Sequence, residues 1–364
     1  MYCFFKTTTT TKRSFFELKS INLALYPIEL QVIQDADELR NKIIQGDFQV
    51  IPQYLQFFLN NLKPILNKQS LFHPSFTYEP IVSNCQLKSP QDSQEAFETD
   101  YVMLIYTYCC GQLFDSLQQI KNIRQAIIEN KCPNPKDVDV ILQKMKTSYA
   151  FLKHIKSDSQ QLLPKLSAKK IFDFEEFSSQ FFIRYNTYFI IMANLIHFEK
   201  MQQLNQEQEL INRQNLCSTM FKLLVSIGNF GQDRLGVYLT YLSIYLKCLG
   251  YKSIMDRYLY NIQKEIYREK GFTVMVLEMI QLCQELKQIC MIILNKDLNE
   301  DYMDIFKIQA QRWIAFSDLQ VRVHSGIARN PQPVQTNEQI LLNSGYFNCV
   351  GLINSYMLLF KFIC

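Results

Sequence analysis

From Ile28 to Ile44 the apolar side chains Leu30, Ile33, Ala36, Leu39 and Ile43 recur every three or four residues, the period of one helical face. Pro52 predicts the opening of a second helix, because the first helical turn needs no N–H from that position. Tyr54, Phe57, Phe58 and Leu62 follow on it, and Pro64 disturbs its end. Residues 69–92 hold Pro74, Pro80 and Pro90 among polar residues and read as a long ordered loop. A long helix is expected over 94–129. Its middle, Tyr101 to Leu113, is apolar almost all round, as in a helix buried on several sides. Cys132-Pro-Asn-Pro135 then breaks the pattern. Further helices are expected at 137–163, 172–204, 207–229, 233–249, 251–269, 273–295 and 299–319, with Gly250 and Gly271 at helix ends. Residues 6–25 suit an extended arm or short strand pair. Val321 to His324 and the following Asn330-Pro-Gln-Pro333 read as extended and irregular.

Length and composition turn these elements into an architecture. A chain of 364 residues exceeds one compact core, so it implies two domains or one elongated array. Only 10 Gly and 11 Pro leave long elements uninterrupted, which favours the array. The later helices pair through short turns, the way helical solenoids stack, although no strict 34-residue period is present. The expected fold is therefore all-α: an elongated, curved helical array with a TPR-like solenoid core and a short extended N-terminal arm.

Charge and cysteine content narrow the partners. The net charge is +4 and no Lys/Arg run exceeds two residues, so a nucleic-acid partner is not expected. A weak peripheral attraction to anionic membrane surfaces is compatible with that balance. Eleven cysteines are scattered, odd in number and without a CxxC pair, as expected of reduced, mostly buried thiols in a cytoplasmic protein. The apolar stretch from Tyr346 to Cys364 is broken by Asn348, Asn354, Ser355 and Lys361, which suits a docked or interfacial helix better than a span.

Candidate chemistry is sparse. His73, His154, His197 and His324 match no metalloprotease or nucleophile spacing. Glu300, Asp301 and Asp304 lie near an expected helix start, where carboxylates complement the dipole. Gly228, Gly231 and Gly236 lack the Lys-Ser/Thr of a phosphate loop, and Trp313 reads as core. No catalytic residue, metal ligand, cofactor or small-molecule substrate is expected. The 20 Tyr and 27 Phe lie at helical spacing and read as core or as the lining of a groove, the surface that takes an amphipathic partner helix.

Several short segments carry a resemblance when taken in order. They are Lys6 to Leu25, Phe57-Phe58 with Leu62, Phe76-Thr77-Tyr78, Ala96-Phe97-Glu98 with Val102-Met103-Leu104, Tyr149-Ala150-Phe151-Leu152, Met192-Ala193-Asn194, and Glu269-Lys270-Gly271 with Val274 and Leu277. This series, over roughly residues 5–320, resembles the BRO-one domain family, the N-terminal module of ALIX-like endosomal-sorting adaptors. The chain departs from it at Ile105, Phe272 and Val276. The resemblance implies a helical domain over 1–329 followed by a divergent or poorly ordered apolar tail over 330–364. It implies a non-catalytic adaptor, recruited peripherally to endosomal membranes, whose groove binds the C-terminal amphipathic helix of an ESCRT-III subunit. Carried over, the groove falls on Phe198, Met201, Ile211 and Leu216, with Asp139 and Gln143 near the family's ionic contact. A degenerate helical-repeat scaffold with unrelated protein partners is the alternative.

Overall fold

The computed structural model of the chain describes residues 27–66, 77–78, 87–88, 93–128, 135–159, 175–202, 207–264, 272–294 and 304–328. Among these the architecture is all-helical. The helices are α1 (Pro27–Ile44), α2 (Ile51–Phe57), α3 (Lys63–Leu66), α4 (Ser93–Ile128), α5 (Pro135–Ser159), α6 (Ser179–Gln202), α7 (Glu207–Val225), α8 (Arg234–Gln263), α9 (Phe272–Leu294) and α10 (Asp304–Ala328). Short 3-10 turns precede α2 and α6. Within the expected loop 69–92, a two-residue antiparallel ladder pairs β1 (Thr77–Tyr78) with β2 (Leu87–Lys88). The expected arm at 6–25, Gly271 and the tail at 330–364 lie outside the described residues.

Two local expectations are corrected. Gly250 does not end a helix; α8 runs through it from Arg234 to Gln263. A methyl group there would meet only Cys217 Cβ, at an ordinary 3.9 Å, so the site is a helix interior where glycine is tolerated. Val321 to His324 is helical, part of α10. The period decides it: Ala310, Trp313, Ser317 and His324 are buried at helical spacing, and this outweighs the β-propensity of the two valines. Met192 to Asn194 lies inside α6, as the expected helix over 172–204 requires.

Pro64 acts one turn earlier than its own position. It has no N–H for the carbonyl of Asn60, and its ring crowds that carbonyl. Residues Phe58–Leu62 widen into a π turn, and the Lys63 N–H bonds Phe58 O, five residues back. Leu62 is completely buried and Phe58 nearly so, so the widened turn still delivers its apolar face to the core.

The chain forms two compact units, one comprising residues 1–197 and 229–237, the other 198–228 and 238–364. In the first, the near-continuous apolar run of α4 is buried residue after residue from Val102 to Leu113. The α5 stripe Val138, Ile141, Met145, Ser148 and Leu152 lies at spacings of three and four, and Cys109 Sγ reaches Ser148 O across the hairpin. Tyr106 of α4 meets Phe181 and Tyr185 of α6 edge-to-face, those two rings being stacked on each other, and the Tyr185 hydroxyl donates to Tyr106 O at 3.3 Å.

The second unit stacks α7, the later part of α8, α9 and α10, each antiparallel to the one before. Cys217 of α7 meets Ser253 of α8, and Arg213 approaches Asp256. Across α8 and α9, Tyr251 donates to Glu285 at 2.9 Å and Tyr258 donates to Glu278. Lys287 of α9 bridges Asp318 of α10 at 2.8 Å. Trp313 is core, as expected, against the Tyr245 ring.

Candidate functional site

The residues carried over for a partner groove centre on α7. Leu210, Arg213, Cys217, Met220 and Leu224 are its buried stripe, at spacings of three and four. Each residue turns about 100° around a helix. Ile211, Gln214, Ser218, Phe221 and Val225, each one position after a stripe residue, therefore form a second stripe beside the first, and all five are half-buried. Leu216 and Leu223 are half-buried on the opposite flank, with Leu216 about 140° around the helix from Ile211. Ile211 and Leu216 thus do not line a common groove.

The other carried-over positions divide further. Phe198 is 2% exposed, a core residue whose ring offers no surface to a partner. Met201 lies on α6, and its side chain falls outside the described residues. Asp139 and Gln143 are exposed one turn apart on α5 in the first unit. His154 and His197 are exposed, and Asp304 opens α10. Among the described residues, no three His, Cys, Asp or Glu side chains group to hold a metal ion, and no helix is long and apolar enough to cross a membrane.

Two buried ionic centres were not anticipated. Arg40 of α1 pairs with Asp100 of α4, both 2% exposed, and Tyr54 adds its hydroxyl to the same carboxylate at 3.4 Å. Burial, reinforced by the neighbouring carboxylate, holds the Tyr54 hydroxyl well above its ordinary range, so it stays a donor. In the second centre Arg184 of α6 bonds Phe230 O at 2.6 Å, Glu175 at 3.0 Å and the Asp233 carboxylate. Asp233 also caps α8, accepting from Leu235 N at 2.8 Å and Gly236 N at 3.0 Å. Partial burial and Asp233 raise the Glu175 carboxyl, with Arg184 opposing them. A Cβ at Gly236 would run into the carbonyl oxygens of Phe230 and Gly231, which is why that loop can cross the helix start so closely.

Neither centre is arranged for chemistry. Each arginine is enclosed by its partners, which is the geometry of a structural clamp. Apolar surface is exposed elsewhere in the second unit: on α10, Leu319 and Val323 lie one turn apart at 56% and 55% exposure. No family model matches the chain, and no curated protein matches it.

Proposed function

We propose that this chain is a non-catalytic helical adaptor of the BRO-one type, binding the C-terminal amphipathic helix of an ESCRT-III subunit in endosomal sorting and membrane remodelling. The observation that carries the reading is the second stripe of α7. Three apolar residues (Ile211, Phe221 and Val225) and two small or polar ones (Gln214 and Ser218) lie half-buried at helical spacing along one flank. An amphipathic helix presents anchors at i, i+3, i+4 and i+7, a repeat that matches such a stripe. The ordered motif series supplies the identity of the partner. In this reading the helices stack as a curved, TPR-like array, and the protein is cytoplasmic and recruited peripherally to endosomal membranes.

The test is a titration of the full chain with the labelled C-terminal helix of an ESCRT-III subunit. Micromolar binding is expected, weakened at least tenfold by Ile211→Asp, while Leu216→Asp on the far flank leaves it within about threefold. Equal losses from both variants would move the site off this flank. Absence of binding by the unmutated chain at high micromolar concentration would overturn the reading. The antiparallel order of α7 to α10 also suits a helical-repeat scaffold with unrelated partners, and that reading would then take its place.

A further inference from the structure

Sulfur lines the seam between α8 and α9. Cys248 Sγ lies 4.0 Å from Cys290 Sγ, and Cys283 Sγ lies 3.2 Å from Met255 Sδ. A step of seven along α8, from 248 to 255, is matched by a step of seven back along α9, from 290 to 283. The Tyr251–Glu285 and Tyr258–Glu278 pairs repeat the step of seven. The two helices are thus held in a fixed antiparallel alignment, with side chains facing each other at heptad intervals. The register places two thiols directly opposite each other, and both are completely buried.

We propose that Cys248 and Cys290 are a disulfide-forming pair, a covalent lock between α8 and α9 that closes under a hydroperoxide oxidant. A disulfide needs its sulfurs about 2.05 Å apart, so each must move by about 1 Å, within reach of a side-chain torsion. The other described cysteines lack this geometry. Cys109 and Cys110 are consecutive on α4, so their side chains diverge by about 100°. Their sulfurs face Ser148 O and the Tyr185 hydroxyl respectively. Cys217 faces Ser253, and Cys283 faces Met255.

The chemistry balances as two thiols and one hydrogen peroxide giving one disulfide and two waters. The first thiolate sulfur attacks the peroxide oxygen and becomes a sulfenic acid, releasing one water after proton transfer. The second sulfur then attacks the first, the S–S bond forms, and the sulfenic oxygen leaves as the second water. Burial, together with the facing Cys290, holds the Cys248 thiol well above its ordinary range, so little thiolate is present and attack is slow. The pair is therefore suited to a slow lock that forms when the seam opens locally. Once formed, the bond is shielded from thiol reductants by the same burial.

The experiment treats the full, reduced chain with hydrogen peroxide, quenches with an alkylating reagent under denaturing conditions, and maps peptides by mass spectrometry without reduction. A Cys248–Cys290 linked peptide is expected as the main intramolecular disulfide. It should bring a Tm raised by about 5 °C or more, since the bond closes a loop of about 40 residues. Dithiothreitol under denaturing conditions should reverse both. A Cys290→Ala chain that retains its helical circular dichroism should show no such gain. Full alkylation of both cysteines after peroxide, or predominance of any other pairing, would overturn the proposal whether or not the variant folds.

Discussion

In the first unit two arginines are taken out of water: Arg40 pairs with Asp100, both 2% exposed, and Arg184, itself 1% exposed, is held by Asp233 at 11% and by Glu175 at 49% exposure. In the second, Lys287 and Asp318 pair at 47% and 37% exposure, while the seam between α8 and α9 is filled by sulfur and aromatic side chains. Even Arg213, the buried arginine among the described residues of that unit, meets an Asp256 that is one quarter exposed. The difference is one of consequence rather than of net strength. A buried ion pair contributes little over a well-packed apolar pair, but losing one partner strands the other charge in a low dielectric. An exposed pair has water to fall back on. The buried pairs of the first unit are therefore irreplaceable contacts, while the exposed pairs, Lys287–Asp318 in the second unit and Lys144–Asp115 in the first, are interchangeable ones.

The largest expected effect tests this contrast directly. Asp100→Ala removes the carboxylate that pairs with the buried Arg40, and should cost about 3–5 kcal/mol in urea unfolding. Lys287→Ala should stay within about 1 kcal/mol, because both partners remain hydrated. Similar losses for the two variants would break the distinction.

The next pair of variants probes the backbone. Gly236→Ala drives a methyl group into two backbone carbonyls beside the Arg184 clamp, atoms that cannot rotate aside, and should destabilise by about 1–3 kcal/mol. Gly250→Ala, in the interior of α8, finds only ordinary contact with Cys217. It should stabilise by about 0.5–1 kcal/mol through reduced backbone freedom in the unfolded chain. Opposite signs in thermal melts support the contrast; a loss at both glycines would show that the seam of the second unit is as unforgiving as the first.

The same contrast explains what could be read from the chain. The stripe of α1 and the all-round apolar run of α4 are local patterns, and each is legible in the sequence. Arg40 and Asp100 are 60 residues apart, so their pairing exists only once α1 and α4 have met. Arg184 and Asp233 are hidden in the same way. Gly250 misled because glycine marks a helix end only when the chain needs its left-handed conformation, and α8 does not. The candidate groove is carried over from the resemblance, which fixes a stretch of chain and not a helix face. Ile211 and Leu216 are five residues apart, but five residues carry them to opposite flanks of α7, a distinction that only the buried stripe reveals.

The smallest effect concerns His324, at the end of the buried α10 stripe. Its Nε2 meets Gln320 Oε1 at 3.2 Å, its Nδ1 has no hydrogen-bond partner, and burial lowers its pKa. The unfolded chain therefore takes up the proton first as pH falls through about 6.5, the ordinary histidine value. The stability present above that pH is lost progressively below it. Thermal melts at pH 7.5 and 5.5 should show a decline that His324→Gln reduces, since glutamine keeps polarity without titrating. Because it concerns one group at the end of a helix whose buried stripe stays in place, this loss should be modest and smaller than that from either backbone variant. An unchanged pH profile in His324→Gln would assign the decline to other groups and leave the end of α10 insensitive to protonation.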